Sequence, residues 1–533
     1  MHQGGDQTLA IRWGALAQLP DPRRWNDAVI SRVFAEMEFL DMQLLRSVEG
    51  GSTPTTAPTF DARPSTFLTP GRNCWRIEKA NRATVLLDGG NYFSALEHAL
   101  RAARRSILIL GWDFDGRIRL RPDKAEVESP PLEDLLLDLA EANPELEIRI
   151  LIWSLSVVHA PGAWKPKLFG AAWQHHPRIH VKLDTKHPFY AAHHQKVVCV
   201  DDAVAFAGGI DLTVRRWDMP AHRFEERARV DPDGNAYPPL HDIQMAVDGE
   251  AAAALAELAS ERWRAATGET VRIAPGEASG WPEWLEPDFT HVDVAIARTQ
   301  PAYAEAREVK ETSLLNQDAL RRAERSIYIE AQYMVSPSIG DILEEHLRDP
   351  KGPEVIVIMT HESRGFVERV VMGNNRDRLI RRLAKADRFG RLRICFPCIN
   401  DASGEQQVLV HSKVIIVDDR FLRVGSSNLN DRSIALDTEC DLAIVARSAS
   451  EDRTIRRIRD VLLSEHLGVE LGVLERQLSR SPSLVTAIDL LSPGSRGLRR
   501  FEAMSDGGPD TPVFGSSFLD PKRPFSLTRL WRR

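Results

Sequence analysis

The sequence predicts an α/β fold assembled twice, as two homologous α/β sandwich halves related by a pseudo-twofold axis. Two observations carry this. Three blocks recur in the same order at a nearly constant offset: Ala99–Ile107 (ALRAARRSI) returns as Ala319–Ile327 (ALRRAERSI) 220 residues on, His194–Asp201 (HQKVVCVD) as His411–Asp418 (HSKVIIVD) 217 on, and Gly208–Asp211 (GGID) as Gly425–Asn428 (GSSN), again 217 on. Segments of helical period also alternate with uninterrupted Val/Ile/Leu runs, the mark of strands covered on both faces by helices. A chain of 533 residues has room for two such domains.

In chain order, residues 1–75 form an N-terminal extension in which Asp27–Val48 reads as an amphipathic helix and Gly50–Gly71 as a Ser/Thr/Pro/Gly-rich linker. The first half, 76–275, opens with a helix over Tyr92–Arg105 that runs into a strand at Ser106–Leu110. Further strands follow at Glu147–Trp153, Lys196–Val200 and Ala203–Ala207. The second half, 276–475, repeats this with a helix over Ser313–Arg325 and strands at Ile327–Glu330, Val355–Met359, Lys413–Val417 and Phe421–Val424. Residues 476–533 form a C-terminal extension, turn-rich from Ser505, whose basic end carries Lys522, Arg523, Arg529, Arg532 and Arg533 with Phe525 and Trp531. That composition reads first as a loosely packed tail, with peripheral contact with an anionic membrane surface as the alternative.

Composition narrows the function classes. The chain is 43% hydrophobic and 27% charged, with a net charge of −7 and no long basic run, which argues against a stable nucleic-acid partner. Five scattered cysteines do not form a disulfide framework. Cys395 and Cys398 have the spacing of a metal pair but no second pair, so a place at the end of a buried strand is expected rather than zinc binding. No apolar run approaches the ~20 residues of a membrane span, and no export signal is visible. The expectation is a monomer that is cytoplasmic or peripheral to a membrane, with secretion lacking a cleavable signal as the other route.

The repeated motif carries the chemistry. On a strand, His194 and Lys196 share a face, as do His411 and Lys413. A lysine beside a histidine suits a phosphodiester: the ammonium neutralises non-bridging oxygens while the imidazole works at phosphorus or at the leaving oxygen. Packed about a twofold axis, the motifs bring two histidines and two lysines to one site that needs neither metal nor cofactor. One histidine attacks and the other protonates the departing alcohol. Asp201 and Asp418 complete the two motifs, but their odd spacing from the histidines turns them away from the phosphate, toward a structural role. Each histidine needs an acceptor to fix its tautomer. Asp242 and Glu439 each open an apolar strand, and we expect Asp242 to serve His194 and Glu439 to serve His411. His193, on the opposite face from His194, reads as a packing residue, and His222 as a candidate pocket lining.

These residues resemble the phospholipase D superfamily, whose signature is His-x-Lys-x4-Asp followed by a Gly-Gly or Gly-Ser pair. The likeness extends to Gly208–Asp218, Gly425–Ser433, Ile327–Tyr333 and Ser464–Gly468 and is similar to the branch holding the eukaryotic-type phospholipases and their bacterial relatives. The resemblance implies that His194 is the nucleophile and His411 the acid, that Lys196 and Lys413 clamp the phosphate, and that Asn428 contacts it, with Asp211 at the equivalent place beside Gly209 and Ser426. It implies headgroup hydrolysis of a phospholipid at a membrane surface through a phosphohistidine, with transfer to an alcohol as an accompanying activity. A cardiolipin synthase-like phosphatidyltransferase, a nuclease of the same superfamily and a non-catalytic scaffold are the competing readings.

Overall fold

The computed structural model describes residues 67–154, 172–188, 191–271, 280–361, 373–402, 404–492 and 494–511. The expected helix at Asp27–Val48, most of the linker after it and the basic C-terminal end lie outside the described residues. All described residues fall within one packing unit.

The first half contains β1 (Arg76–Leu87), α1 (Asp88–Ala102), β2 (Ser106–Gly111), α2 (Leu132–Ala142), β3 (Glu147–Trp153), β4 (Ile179–Asp184), β5 (Val197–Val200), β6 (Val204–Gly208), β7 (Leu240–His241), β8 (Ile243–Asp248) and α3 (Gly249–Thr267). The second contains β9 (Phe289–Gln300), β10 (Val309–Lys310), α4 (Glu311–Arg321), β11 (Ser326–Ala331), α5 (Pro337–Arg348), β12 (Glu354–Met359), α6 (Asn374–Ala386), β13 (Leu392–Asp401), β14 (Gly404–Gln407), β15 (Leu409–Val410), β16 (Lys413–Val417), β17 (Phe421–Gly425), α7 (Asp431–Ala435), β18 (Glu439–Val445) and α8 (Ala449–Leu467). Then come α9 (Leu471–Arg480), α10 (Leu484–Leu491) and β19 (Arg496–Arg500).

Strand pairing reproduces the sequence repeat. In the first half the order is β4-β3-β2-β5-β6-β8-β1, parallel through β4, β3 and β2 and antiparallel from β2 onward. The second half repeats it as β13-β12-β11-β16-β17-β18-β9. The two sheets join where β1 and β9 pair antiparallel, from Arg76 opposite Ile296 to Ala83 opposite Phe289. An antiparallel pair of equivalent strands places a local twofold between them, so whatever the repeat builds is built facing itself.

The apolar runs explain the burial. β5 and β16 are buried along their whole length, and one side-chain set of each enters a central core made with α3 and α8, while the other enters a core private to its half. α3 and α8 are equivalent, and each ends on a glycine in the left-handed conformation, Gly268 (φ 81°) and Gly468 (φ 65°), where any side chain would be strained. Cys395 and Cys398 lie within β13, both buried.

Candidate active site

Two short parallel contacts decide what the motif histidines meet. β7 pairs with β15, and His411 N donates to His241 O at 2.8 Å. In the other copy His193 bridges Thr438, and His194 N donates to Thr438 O at 3.0 Å. Each motif strand therefore begins beside the segment that, one residue later, presents a carboxylate from the opposite half.

The histidine–carboxylate pairs are consequently crossed. His194 Nδ1 lies 3.0 Å from Glu439 Oε2, and His411 Nδ1 lies 2.7 Å from Asp242 Oδ2. The within-half pairing expected from sequence is wrong: both carboxylates orient motif histidines, but each serves the histidine of the other half. With Nδ1 taken, Nε2 of each imidazole is left for chemistry.

The lysines lie against the same strands. Lys196 Nζ donates to His194 O at 3.0 Å and lies 3.1 Å from Asp211 Oδ2. Lys413 Nζ donates to His411 O and to Gln332 Oε1, the latter at 3.2 Å. Asp211 also accepts from Trp112 N at 2.8 Å, tying the loop after β2 to the first lysine. Asn428 holds the equivalent place in the second half, buried, with no hydrogen-bond partner for Oδ1 among the described residues. Ser426 donates to Glu439 Oε2 at 2.5 Å and accepts from Cys440 N at 3.0 Å, locking that carboxylate. Gly209 is glycine by necessity: a Cβ there would come within 2.0 Å of Asp242 Oδ1.

The two histidines are shifted alike, but their partner carboxylates differ in charge. Burial, with Lys196 and Lys413 beside it, holds His194 well below its usual pKa. Burial and Lys413 likewise hold His411 well below its usual pKa, against the pull of Asp242. Against burial, His411 and Lys413 keep Asp242 below the usual carboxylate value, so it is an anion. Burial instead raises Glu439 to about 8, against the Ser426 hydrogen bond. Burial, with Lys196 adding to it, drops Lys413 to about 7. Arg216, half-buried, adds positive charge at both His411 and Lys413.

The motif aspartates stand away from this chemistry. Asp201 accepts from Arg104 N, Arg105 N and Ser106 N at 2.7–2.8 Å, and Asp418 from Glu324 N, Arg325 N and Ser326 N at 2.7–2.9 Å. Each ties the turn between a helix and the first core strand of its half to the end of the motif strand. These contacts make both aspartates structural, the role to which their odd spacing from the histidines points. His222 does not line the histidine–lysine site either. It is buried between Asp218 and Glu465, at 2.9 and 3.0 Å. His193 is buried and pairs with the Thr438 hydroxyl across the halves.

Sequence reasoning missed Gln332, Arg216 and a buried set comprising Asp88, His241, Glu330, Glu465 and His466. Glu330, Glu465 and His466 stand inside quoted motif stretches, but nothing in a linear motif shows that they meet behind the second histidine.

Residues 99–357 match the family description "Phospholipase D", and residues 317–457 match "Cardiolipin synthase, PLD-like domain". The chain is 23% identical over 492 residues to phospholipase D1 of Schizosaccharomyces pombe, covering 74% of this chain and 36% of the relative. It is also 23% identical over 493 residues to phospholipase D1 of Saccharomyces cerevisiae, covering 73% of this chain and 29% of the relative. The chain thus spans about a third of the length of these curated relatives. The crystal structure of phosphatidylserine synthase from Haemophilus influenzae Rd KW20 superposes with a TM-score of 0.50 at 12% identity, covering 78% of this chain and 96% of that one, and so shares the fold. Family matches that run through both copies of the repeat, on a fold held in common with that synthase, make this chain a member of the phospholipase D superfamily.

Proposed function

We propose that the chain is a phospholipase D-type phosphodiesterase that releases the headgroup alcohol of glycerophospholipids and leaves phosphatidic acid. The crossed histidine–carboxylate pairs carry this reading, since they supply one imidazole suited to attack and one suited to proton donation.

His194 is the nucleophile. Burial and the two lysines keep it neutral, and its partner Glu439 is the weaker anion, so the Nε2 lone pair is free. His411 is the acid, because the anionic Asp242 favours its imidazolium. A bound phosphodiester brings one negative charge, offsets the lysine fields and raises the pKa of His411 toward the protonated form. His194 Nε2 then forms a bond to phosphorus as the phosphorus–headgroup oxygen bond breaks, and His411 gives its proton to that oxygen. Water, deprotonated by His411, attacks the phosphohistidine, returning a neutral His194 and a protonated His411. Lys196, Lys413 and Asn428 hold the non-bridging oxygens throughout.

A phosphatidyltransferase reading draws support from the match over residues 317–457. It uses the same intermediate, with an alcohol in place of the water. Among the described residues no helix is long and apolar enough to cross a membrane, and we place the protein at the membrane surface as a peripheral enzyme.

The test incubates the chain with phosphatidylcholine vesicles and a primary alcohol. Choline release with phosphatidic acid and phosphatidyl-alcohol is expected, and none of these from His194→Ala. Cleavage of single-stranded DNA without any action on vesicles would overturn the lipid assignment.

A further inference from the structure

Behind the His411–Asp242 pair lies a second cluster that the phosphodiester chemistry does not use. We propose that Asp88, His222, His241 and Glu465 form a structural site for one divalent transition-metal ion of zinc type, which fixes the carboxylate that orients His411.

The four side chains come from separate segments of both halves: the start of α1, the loop after Trp217, β7 and α8. All four are buried. Their donor atoms face one point, each within 4.8 Å of the others. His222 Nε2 lies 3.0 Å from Glu465 Oε1 and 3.6 Å from Asp88 Oδ2, while His241 Nδ1 lies 2.7 Å from Glu465 Oε1 and 3.1 Å from Asp88 Oδ1. Zinc bonds of about 2.0–2.2 Å in a tetrahedron set donors about 3.3–3.6 Å apart, so the ion is admitted once the shortest pair opens by about 0.6–0.9 Å. Two imidazoles and two carboxylates are a donor set that zinc takes.

The far nitrogen of each imidazole is held by another carboxylate. Asp218 Oδ2 lies 2.9 Å from His222 Nδ1, and Glu330 Oε2 lies 2.9 Å from His241 Nε2. This carboxylate–histidine arrangement orients metal-bound imidazoles and fixes the tautomer whose lone pair points at the ion. In that tautomer both near nitrogens confront carboxylate oxygens with nothing positive between. Asp88 Oδ2 and Glu465 Oε2 are, moreover, buried with no hydrogen-bond partner. Four carboxylates set against Arg229 and Arg496 call for two more positive charges. Two protons would balance the charge but leave Asp88 Oδ2, 3.6 Å from His222 Nε2, without a donor, whereas one divalent ion balances the charge and gives that oxygen a partner. Glu465 and Arg496 also line a cavity of about 790 Å³, which gives an ion a way in.

The consequence reaches the catalytic pair through the backbone. Asp88 Oδ1 accepts from Asp242 N at 3.2 Å, and Asp88 N donates to Asp242 O at 2.8 Å. An ion held by Asp88 and His241 thus grips Asp242 through its own backbone N–H and C=O and through the residue before it in sequence.

The test measures metal in the full chain, produced with zinc supplied, after dialysis against metal-free buffer. About one zinc per chain is expected, together with a fall in Tm on chelation with dipicolinate that added zinc reverses. Glu465→Gln should carry at least tenfold less zinc, while Glu133→Gln, outside the cluster, should carry as much as wild type. Should Glu465→Gln fail to fold, wild type stripped and reloaded with Co²⁺ provides the second measurement, and the visible absorption of a tetrahedral ion is expected. A folded wild type with under a tenth of an equivalent of metal and a Tm indifferent to chelator and zinc would overturn the proposal, leaving the cluster held by protons. Full zinc content in a folded Glu465→Gln would overturn the location.

Discussion

His194 Nδ1 lies 3.0 Å from Glu439 Oε2, a carboxylate 245 residues away in the other half of the molecule. With its counterpart, His411 on Asp242 at 2.7 Å, it makes each motif imidazole the joint product of both halves of the repeat. Neither half holds an oriented histidine by itself, so any loosening of the β1–β9 junction disorders both pairs together.

The two carboxylates differ in charge, and this separates their effects. Asp242→Asn removes the anion that favours the His411 imidazolium, and kcat on phosphatidylcholine should fall about 10²–10⁴-fold, the usual worth of general-acid catalysis. A p-nitrophenyl phosphodiester, whose leaving group needs no proton, should lose much less at the bond-breaking step. Pre-steady-state release of p-nitrophenolate is the measurement. With His411→Ala a burst of one equivalent followed by a stall is expected, and with His194→Ala no burst. A burst from His194→Ala would reverse the assigned roles.

The motif aspartates should behave differently. Asp201 takes three backbone N–H groups and sits at φ 53°, a conformation asparagine tolerates. Asp201→Asn should therefore cost about 1–3 kcal/mol of stability in urea unfolding and leave kcat of the folded fraction within about twofold. A large loss of kcat without loss of stability would show that the motif aspartate acts on the substrate.

Much of this architecture is legible in the sequence, and the limits have a physical reason. Repeat offsets and apolar runs are local properties, so the strands around His194 and His411, the shared face with Lys196 and Lys413, and the outward turn of Asp201 and Asp418 all follow from the chain itself. The crossing does not. Asp242 and Glu439 both open strands at equivalent places, and alternation along a strand cannot tell whether a carboxylate meets the histidine of its own half or of its twin. That choice is made by β7 against β15 and His193 against Thr438, contacts between segments far apart in sequence. The buried cluster behind His411 was hidden for the same reason.

Lys413 gives the site its pH dependence. Burial brings its ammonium to about 7 in the free protein, so the charge proposed to receive an anionic phosphodiester is lost above that pH. The expectation is that kcat/KM falls as pH rises through about 7. A value unchanged between about pH 6 and 9 would contradict it. The stability sign is opposite. A lysine whose folded pKa lies below the unfolded value near 10.4 leaves the unfolded chain binding more protons between about 7 and 10, so stability rises with pH across that window. Lys413→Met should thus exceed wild type in Tm by several degrees near pH 6, with the gap closing toward pH 10.

Gly209 tests the geometry of the acid most directly, because it changes no charge and removes no contact. A methyl group there would lie within 2.0 Å of Asp242 Oδ1. The same carboxylate accepts from Ile243 N at 2.8 Å through Oδ1 and holds His411 through Oδ2, so it cannot retreat without releasing one of them. Gly209→Ala should cost about 1–3 kcal/mol through overpacking and lower kcat on phosphatidylcholine about 10²-fold, the penalty for misplacing a catalytic group by about 1 Å. The p-nitrophenolate burst should survive, since His194 and Glu439 are untouched. Gly507→Ala, where nothing lies within 4 Å of the added methyl, should match wild type in both assays. If Gly209→Ala kept full activity on phosphatidylcholine while folding normally, the position of Asp242 would not matter to proton donation, and His411 would have to draw its orientation from elsewhere.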